Sequence, residues 1–178
     1  MEYTSGLSGP CSIFAADHLS MIQRKQTLFL LLAVACALLT FIFPIARYGE
    51  MGQVDHIYRT TGVVTSEGVP VTDFEPKFPM YPVFVLIAAV LLVSIFFFSR
   101  RMRQALIVRS SYLIILVAEY LMFSQHISIA SYLGSGKHLQ STFGVSMFLP
   151  IGTLMFAVLA ERAIRKDEEL VKSTDRLR

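Results

Sequence analysis

The chain has 178 residues, of which 54% are hydrophobic and 16% charged, with a net charge of +3. Soluble domains carry roughly 25% charged residues, so this balance, with a mean hydropathy of +0.57, points away from an ordinary soluble domain and toward a membrane protein of single-domain size. The basic excess does not indicate nucleic-acid binding, because Lys and Arg cluster beside apolar runs and form no separate basic domain.

In chain order, Met1 to Ser20 contains Gly and Ser and no long apolar run. It reads as a disordered leader, or as a stretch upstream of a true start at Met21, where Met21-Ile22-Gln23-Arg24-Lys25 leads into an apolar segment. Residues 27–45 form the first expected span. A lipoprotein signal with Ala33-Val34-Ala35 before Cys36 competes with this reading. The apolar run continues past Cys36 to Phe43, longer than the roughly 7–15 residues of a signal core, so an uncleaved anchor is expected. Cys11 and Cys36 have no metal-ligand spacing and no expected disulfide.

Residues 46–80 are the one sizeable polar segment and form the expected outer loop. Ile57 to Thr65 and Val69 to Phe74 are β-prone, with Ser66-Glu67-Gly68 as the turn between them and Pro70 confining the second strand to an edge. The second span, residues 81–99, opens with Tyr81-Pro82, a proline tolerated in a first helical turn. A basic turn, Arg100-Arg101-Met102-Arg103, leads to a third span over residues 105–124, interrupted only by Arg109 and Glu119. Arg109 lies one turn inside the apolar boundary, where its long side chain can snorkel back to the interface. Gly134 to His138 is an expected flexible outer connection. The fourth span, residues 143–160, contains Pro150 and Gly152, which predict a kink. Residues 161–178 continue the fourth helix into the cytoplasm, with Glu161–Arg165 and Glu168–Lys172 as i,i+4 pairs in the favourable order and fraying expected near Ser173.

Two apolar runs joined by a short basic turn form a membrane hairpin with a cytoplasmic turn. Lys and Arg divide twelve to four between the two sides, with Arg24, Lys25, Arg100, Arg101, Arg103, Arg162, Arg165 and Lys166 as the main determinants of topology. The positive-inside rule then places both termini in the cytoplasm. The expected fold is an all-α four-helix transmembrane bundle. It carries a small β-prone outer loop between spans one and two and a cytoplasmic extension of helix four.

The start Met21-Ile22-Gln23-Arg24, the four apolar runs and the end, from Arg162-Ala163-Ile164-Arg165 to Ser173-Thr174-Asp175-Arg176-Leu177-Arg178, resemble small membrane proteins of Bacteroidetes-type bacteria grouped as domain-of-unknown-function family 4293. The resemblance covers Met21 to Arg178, and Met1 to Ser20 departs from it. It implies the inner membrane of a Gram-negative bacterium and transfers no catalytic role.

No nucleotide loop, zinc motif or nucleophile elbow is present, and no cofactor is implied. Asp55-His56 reads as a solvated pair or as an outer-face site. His126 and His138 read as interfacial hydrogen-bonding groups or, with His56, as a metal ligand set. Ala33 and Ala37, and Ala88-Ala89, are small residues that permit close helix packing, within the chain or between chains. Glu119 is the leading polar candidate, since a carboxylate in hydrocarbon is costly and must face the bundle or be neutralised. It lies ten residues beyond Arg109. At about 1.5 Å per residue the same depth reaches Cys36, Ala89 or Val90, and Gly152 or Thr153, with Thr153 the nearest hydroxyl partner. No basic residue lies at that level.

The favoured expectation is a non-enzymatic scaffold or accessory subunit. It sits in the lipid bilayer and meets a protein partner through the outer loop 46–80 or the tail 161–178. The alternative is a small oligomeric proton- or ion-coupled transporter using Glu119. A third reading is a membrane enzyme with Asp55 and His56 at the outer face.

Overall fold

The structure is a computed structural model that describes residues 25–49, 54–71, 78–97, 100–134 and 140–176. Its elements are α1 (Lys25–Leu39), β1 (Ala46–Gly49), β2 (His56–Arg59), β3 (Gly62–Thr65), α2 (Met80–Phe96), α3 (Arg101–Leu133), β4 (Gln140–Phe143), a 3-10 turn (Val145–Met147) and α4 (Leu149–Arg176). By length and composition two stretches, Met102–Leu133 and Val145–Leu170, are long and apolar enough to cross a membrane, while α1 and α2 are shorter apolar helices.

The helices pack in a ring in which α1 touches α2 and α4, and α3 touches the same two. Each contributes an inward stripe at helical spacing: Leu30, Ala33, Val34 and Ala37 from α1; Phe84, Ile87, Ala88 and Leu91 from α2; Val108, Ile115, Ala118 and Met122 from α3; Ala157, Ala160 and Ile164 from α4. The small residues of α1 thus serve packing within the chain. A Cβ built on Gly152 would meet Cys36 Sγ at 3.7 Å, an ordinary contact, so these residues do share a level. Buried hydroxyls are satisfied by their own helices: Ser94 donates to the Leu91 carbonyl and Ser111 to that of Val108, each at 2.6 Å. Such local bonds remove a polar group from an apolar interior without a second helix.

The outward faces are also apolar. Leu113 and Tyr120 are each 71% exposed and Phe96 79%. Helices apolar all round are found in large cores or in membranes.

The strands form one antiparallel sheet in the order β3-β2-β1-β4. Its central strand β1 pairs Tyr48 with His56 on one side and with Ser141 on the other. Both long connections of the bundle therefore meet at one end, and the alternation along β1 and β2 turns Ala46, Tyr48 and Tyr58 into the core.

Several boundaries differ from the sequence expectation. The β2–β3 turn is Thr60-Thr61, closed by the Arg59–Gly62 pair, where Gly62 has a φ of +143° that only glycine adopts easily. The expected turn at Ser66-Glu67-Gly68 is also present and folds Val69 and Pro70 back on β3, with an isolated bridge from Val64 to Pro70; residues 72–74 lie outside the described residues. α1 ends at Leu39, with looser turns through Phe43 before Pro44. α3 runs nine residues beyond Ser124 to Leu133, because the sheet covers its outer end. Gly134 ends it, and the rest of that connection lies outside the described residues. Phe143, expected to open the fourth span, instead ends strand β4, and α4 starts at Leu149. Pro150 is therefore a first-turn proline with no intrahelical bond to lose, and it supplies no reason for the expected kink.

The junction of sheet and bundle leaves no room at Gly144. Its N–H donates to the Ile45 carbonyl at 2.7 Å, and a Cβ there would run into the Pro44 carbonyl oxygen. Gly144→Ala should destabilise the fold by about 1–3 kcal/mol, the usual cost of overpacking; Gly152→Ala, whose added methyl would meet Cys36 Sγ at an ordinary 3.7 Å, should cost less. Thermal melts of the two variants in detergent will show whether that order holds.

Candidate functional site

Polar groups inside the bundle gather at three levels. At the sheet end, Tyr58 donates to Gln125 Oε1 at 2.5 Å, and Gln125 Nε2 donates to the Phe78 carbonyl. Tyr48 Oη lies 2.8 Å from His126 Nδ1. The His126 ring stacks on Tyr48 at 5.4 Å and leans on Phe143 at 4.8 Å. These contacts join β1, β2 and β4 to α3 and to the entry of α2. Burial, and for Tyr48 also the neighbouring Tyr58, raises both phenol pKa values above the ordinary tyrosine range, so both hydroxyls stay protonated as donors.

The Asp55-His56 pair, which the sequence leaves as a solvated pair or an outer-face site, falls at the start of β2. Asp55 is exposed, and its backbone is what the sheet uses: its N–H donates to the Tyr48 carbonyl at 2.9 Å and its carbonyl accepts from Ser66 at 3.0 Å. His56 stands opposite Tyr48 in the sheet, with Nδ1 buried and without a hydrogen-bond partner. His138 lies outside the described residues. Among the described residues no three His, Cys, Asp or Glu side chains converge as a metal would require.

At the middle level, Glu119 is half-buried, and its Oε2 is buried without a hydrogen-bond partner. It lies seven residues, two turns, from Tyr112, whose hydroxyl reaches α4, so it flanks the seam between α3 and α4. Thr153 is buried as expected, but its hydroxyl donates to the Leu149 carbonyl of its own helix at 3.0 Å. The expected Glu119–Thr153 bond is thus replaced by a local one, which a threonine in a helix reaches without moving any neighbour.

The third level, at the opposite end, holds a cluster that sequence reasoning only half found. Glu161 is buried. It accepts from Arg165 at 2.5 Å, from Arg109 Nε at 3.3 Å and from the Tyr112 hydroxyl at 2.7 Å. The i,i+4 partner was legible from spacing. The cross-helix partners were not sought, although Arg109 and Glu161 each sit at the edge of an apolar run and matching those edges would have paired them. Arg109 still exposes 59% of its side chain while holding Glu161, so snorkelling and pairing coexist.

The basic residues read as topology determinants gather around this same end. Lys25 begins α1, Arg100 caps α3, Arg101 begins it, Arg103 follows, and Arg162, Arg165 and Lys166 lie in the second half of α4. Arg24 lies outside the described residues. Beside them a groove of about 360 Å³ opens between the start of α3 and the second half of α4.

In chemical terms these clusters fasten helices. The hydroxyls that meet a base, Tyr48 with His126 and Tyr112 with Glu161, lie within packed contacts, and Tyr48 is 1% exposed.

Among the described residues, a ring of four helices, two of them long and apolar enough to cross a bilayer by length and composition, with a small antiparallel sheet over one end, makes a mostly helical protein. The chain belongs to the family described as Domain of unknown function (DUF4293), whose model matches residues 22–177. No curated protein matches it.

Removing the Tyr112 hydroxyl should cost about 1–2 kcal/mol, a little under the range for a hydrogen bond to a charged group because the site is only partly buried. The same Tyr112→Phe change in a Glu161→Gln background should cost less, since the charge it served is gone. A double-mutant cycle by thermal or denaturant unfolding measures that coupling, and strictly additive losses would show that the Glu161 charge adds nothing to the bond.

Proposed function

We propose that α1 to α4 all cross a bilayer, that both termini lie in the cytoplasm of a Gram-negative cell with the sheet on the outer side of its inner membrane, and that the protein acts through contacts as a scaffold or accessory subunit. The observation that carries this reading is the outward apolar surface on every helix. Leu28 and Leu31 of α1, Val85 and Leu86 of α2, Leu113 and Val117 of α3, and Ile151 and Met155 of α4 are all exposed. In water such a girdle far exceeds the few hundred Å² of apolar patch that a monomer carries; in hydrocarbon it is the expected surface. At 17 residues, α2 lies at the lower end of the spanning range, and the turns from Thr40 to Phe43 add length to α1. The basic residues grouped at the end away from the sheet support the orientation. The scaffold role is supported by the sheet, which offers a formed outer surface, and by the charged α4 extension at the inner end.

A second reading rests on Glu119. A half-buried carboxyl with one oxygen unpartnered among apolar helices is the kind of group that ion- or proton-coupled proteins use.

Single cysteines at Glu67 and Gln140, in a chain with Cys11 and Cys36 replaced by Ala, should react with a membrane-impermeant thiol reagent in intact spheroplasts, while cysteines at Arg103 and Ser173 should react only after lysis. Reaction at Arg103 without lysis would overturn the orientation. Reconstituted into liposomes, the wild-type protein should show no ion or proton flux above empty vesicles and should co-purify from mild detergent with a reproducible partner. A flux that Glu119→Gln abolishes would instead establish the coupled reading.

A further inference from the structure

We propose that the cavity between the β2–β3 turn and the start of α2 binds a small monocarboxylate anion of the acetate or propionate type. The site lies at the sheet end of the bundle and stands independently of the spanning reading. The cavity measures about 90 Å³, and its walls include Tyr58 and Thr60 from the hairpin, Gln125 from α3 and the stretch from Phe78 to Tyr81 at the entry of α2. Thr60 belongs to a hairpin turn, where side chains usually meet solvent. It is nevertheless only 3% exposed, and its Oγ1 is buried without a hydrogen-bond partner. A buried hydroxyl left unpaired costs stability, so a group that pairs with it is favoured there.

The same cavity meets a helix N-terminus that has nothing to bond. The N–H groups of a first helical turn have no intrahelical acceptor. At this end Pro79 and Pro82 carry no N–H, which leaves those of Met80 and Tyr81. Pro79, at the N-cap position, offers no side-chain acceptor, and the first turn holds no acidic residue. Among the described residues no acceptor from another element meets either N–H. The positive end of the helix dipole acts in the same direction, toward negative charge. The nearby acceptors are already engaged: Gln125 Oε1 by the Tyr58 hydroxyl and the Phe78 carbonyl by Gln125 Nε2. Donors are therefore what the cavity has left to offer. None of its lining residues is charged, so a doubly charged oxyanion would enter without a counter-charge and is better solvated by water. A monocarboxylate brings one charge spread over two oxygens, which two N–H groups and one hydroxyl can meet. The volume is that of about three waters, room for a carboxyl group with one or two further carbons. Phe78, Pro79 and Met80 give that short tail an apolar wall.

Saturation-transfer NMR of the full chain in detergent, titrated with sodium propionate at constant ionic strength, tests this. Wild type should show saturable transfer to the propionate methyl, with a Kd of about 1–10 mM, as suits a five-atom ligand held by a few neutral donors. Sulfate should not displace it. Thr60→Val keeps the shape of the side chain and removes the hydroxyl. It should weaken binding about fivefold or more, the loss of one hydrogen bond, while the melting temperature without ligand does not fall. Thr60→Ser should keep most of the affinity. Pro79→Asp supplies a carboxylate from the chain itself at the N-cap position. It should raise the melting temperature and abolish propionate binding, so the loss of binding cannot be a loss of fold. Absence of saturable transfer to wild type would mean a cavity that holds water only and would overturn the site. Undiminished binding by Thr60→Val or Pro79→Asp would place the anion elsewhere and overturn it equally. Displacement by sulfate would overturn the monocarboxylate class, and a lower melting temperature of ligand-free Thr60→Val would show that the hydroxyl is already engaged and overturn its role as a free donor.

Discussion

The strand Ala46–Gly49 is hydrogen-bonded along both edges, to a strand from its own connection and to one from the connection between α3 and α4. Much of the architecture depends on that double pairing. A backbone strand with neither edge free needs no solvent, so it can press Ala46 and Tyr48 onto the bundle end. It also forces the end of α1, the start of α2, the end of α3 and the start of α4 to one side. The up-and-down order of the helices is therefore held by the sheet as well as by the short Phe97–Arg100 link between α2 and α3.

The bundle itself has an unusual division of labour. Its outward and inward surfaces are both apolar, so exclusion of water cannot by itself decide which faces meet. Close packing at Ala33 and Ala37, both fully buried, and polar fastening at the two ends take over that selection. At the sheet end the fasteners are neutral, Tyr58 to Gln125 and Tyr48 to His126. At the other end they are ionic, with Glu161 held by two arginines and a tyrosine. The ionic set lies where Arg109 and Arg165 retain access to solvent, which lowers the desolvation cost of charge. The neutral set lies where the sheet has sealed the helices from it.

What was legible in the sequence follows from range. The helices were readable because apolar runs of that length are a one-dimensional signal, and the basic start and charged end carry the resemblance to the family whose model matches residues 22–177. The Glu161–Arg165 pair was readable because it is local. The expected Ser66-Glu67-Gly68 turn is present, with the Gly68 N–H donating to the Thr65 carbonyl at 2.9 Å, but the further turn at Thr60-Thr61, which splits the expected first strand into β2 and β3, was not legible because threonine is only a weak turn former. β4 went unread, with Phe143 counted in the fourth span and Gln140 to Thr142 left unassigned, because Gln140 to Phe143 is strand only by virtue of β1, many residues away. Glu119 was singled out on cost alone, and cost does not name a partner: Thr153, matched to it by depth, had a carbonyl closer to hand in its own helix.

The double pairing of β1 also sets an order of events during synthesis. Ala46 pairs with Phe143, 97 positions later, so for roughly 5–20 s at ordinary translation rates one edge of that strand has no partner. Over that interval α2 and α3 are made, while Tyr48 awaits the His126 ring that will shield it. The β2–β3 hairpin, built from neighbouring residues, covers the other edge early. The remaining edge is thus an interval of exposure written into the connectivity, and it ends only when the chain reaches the entry to its last helix.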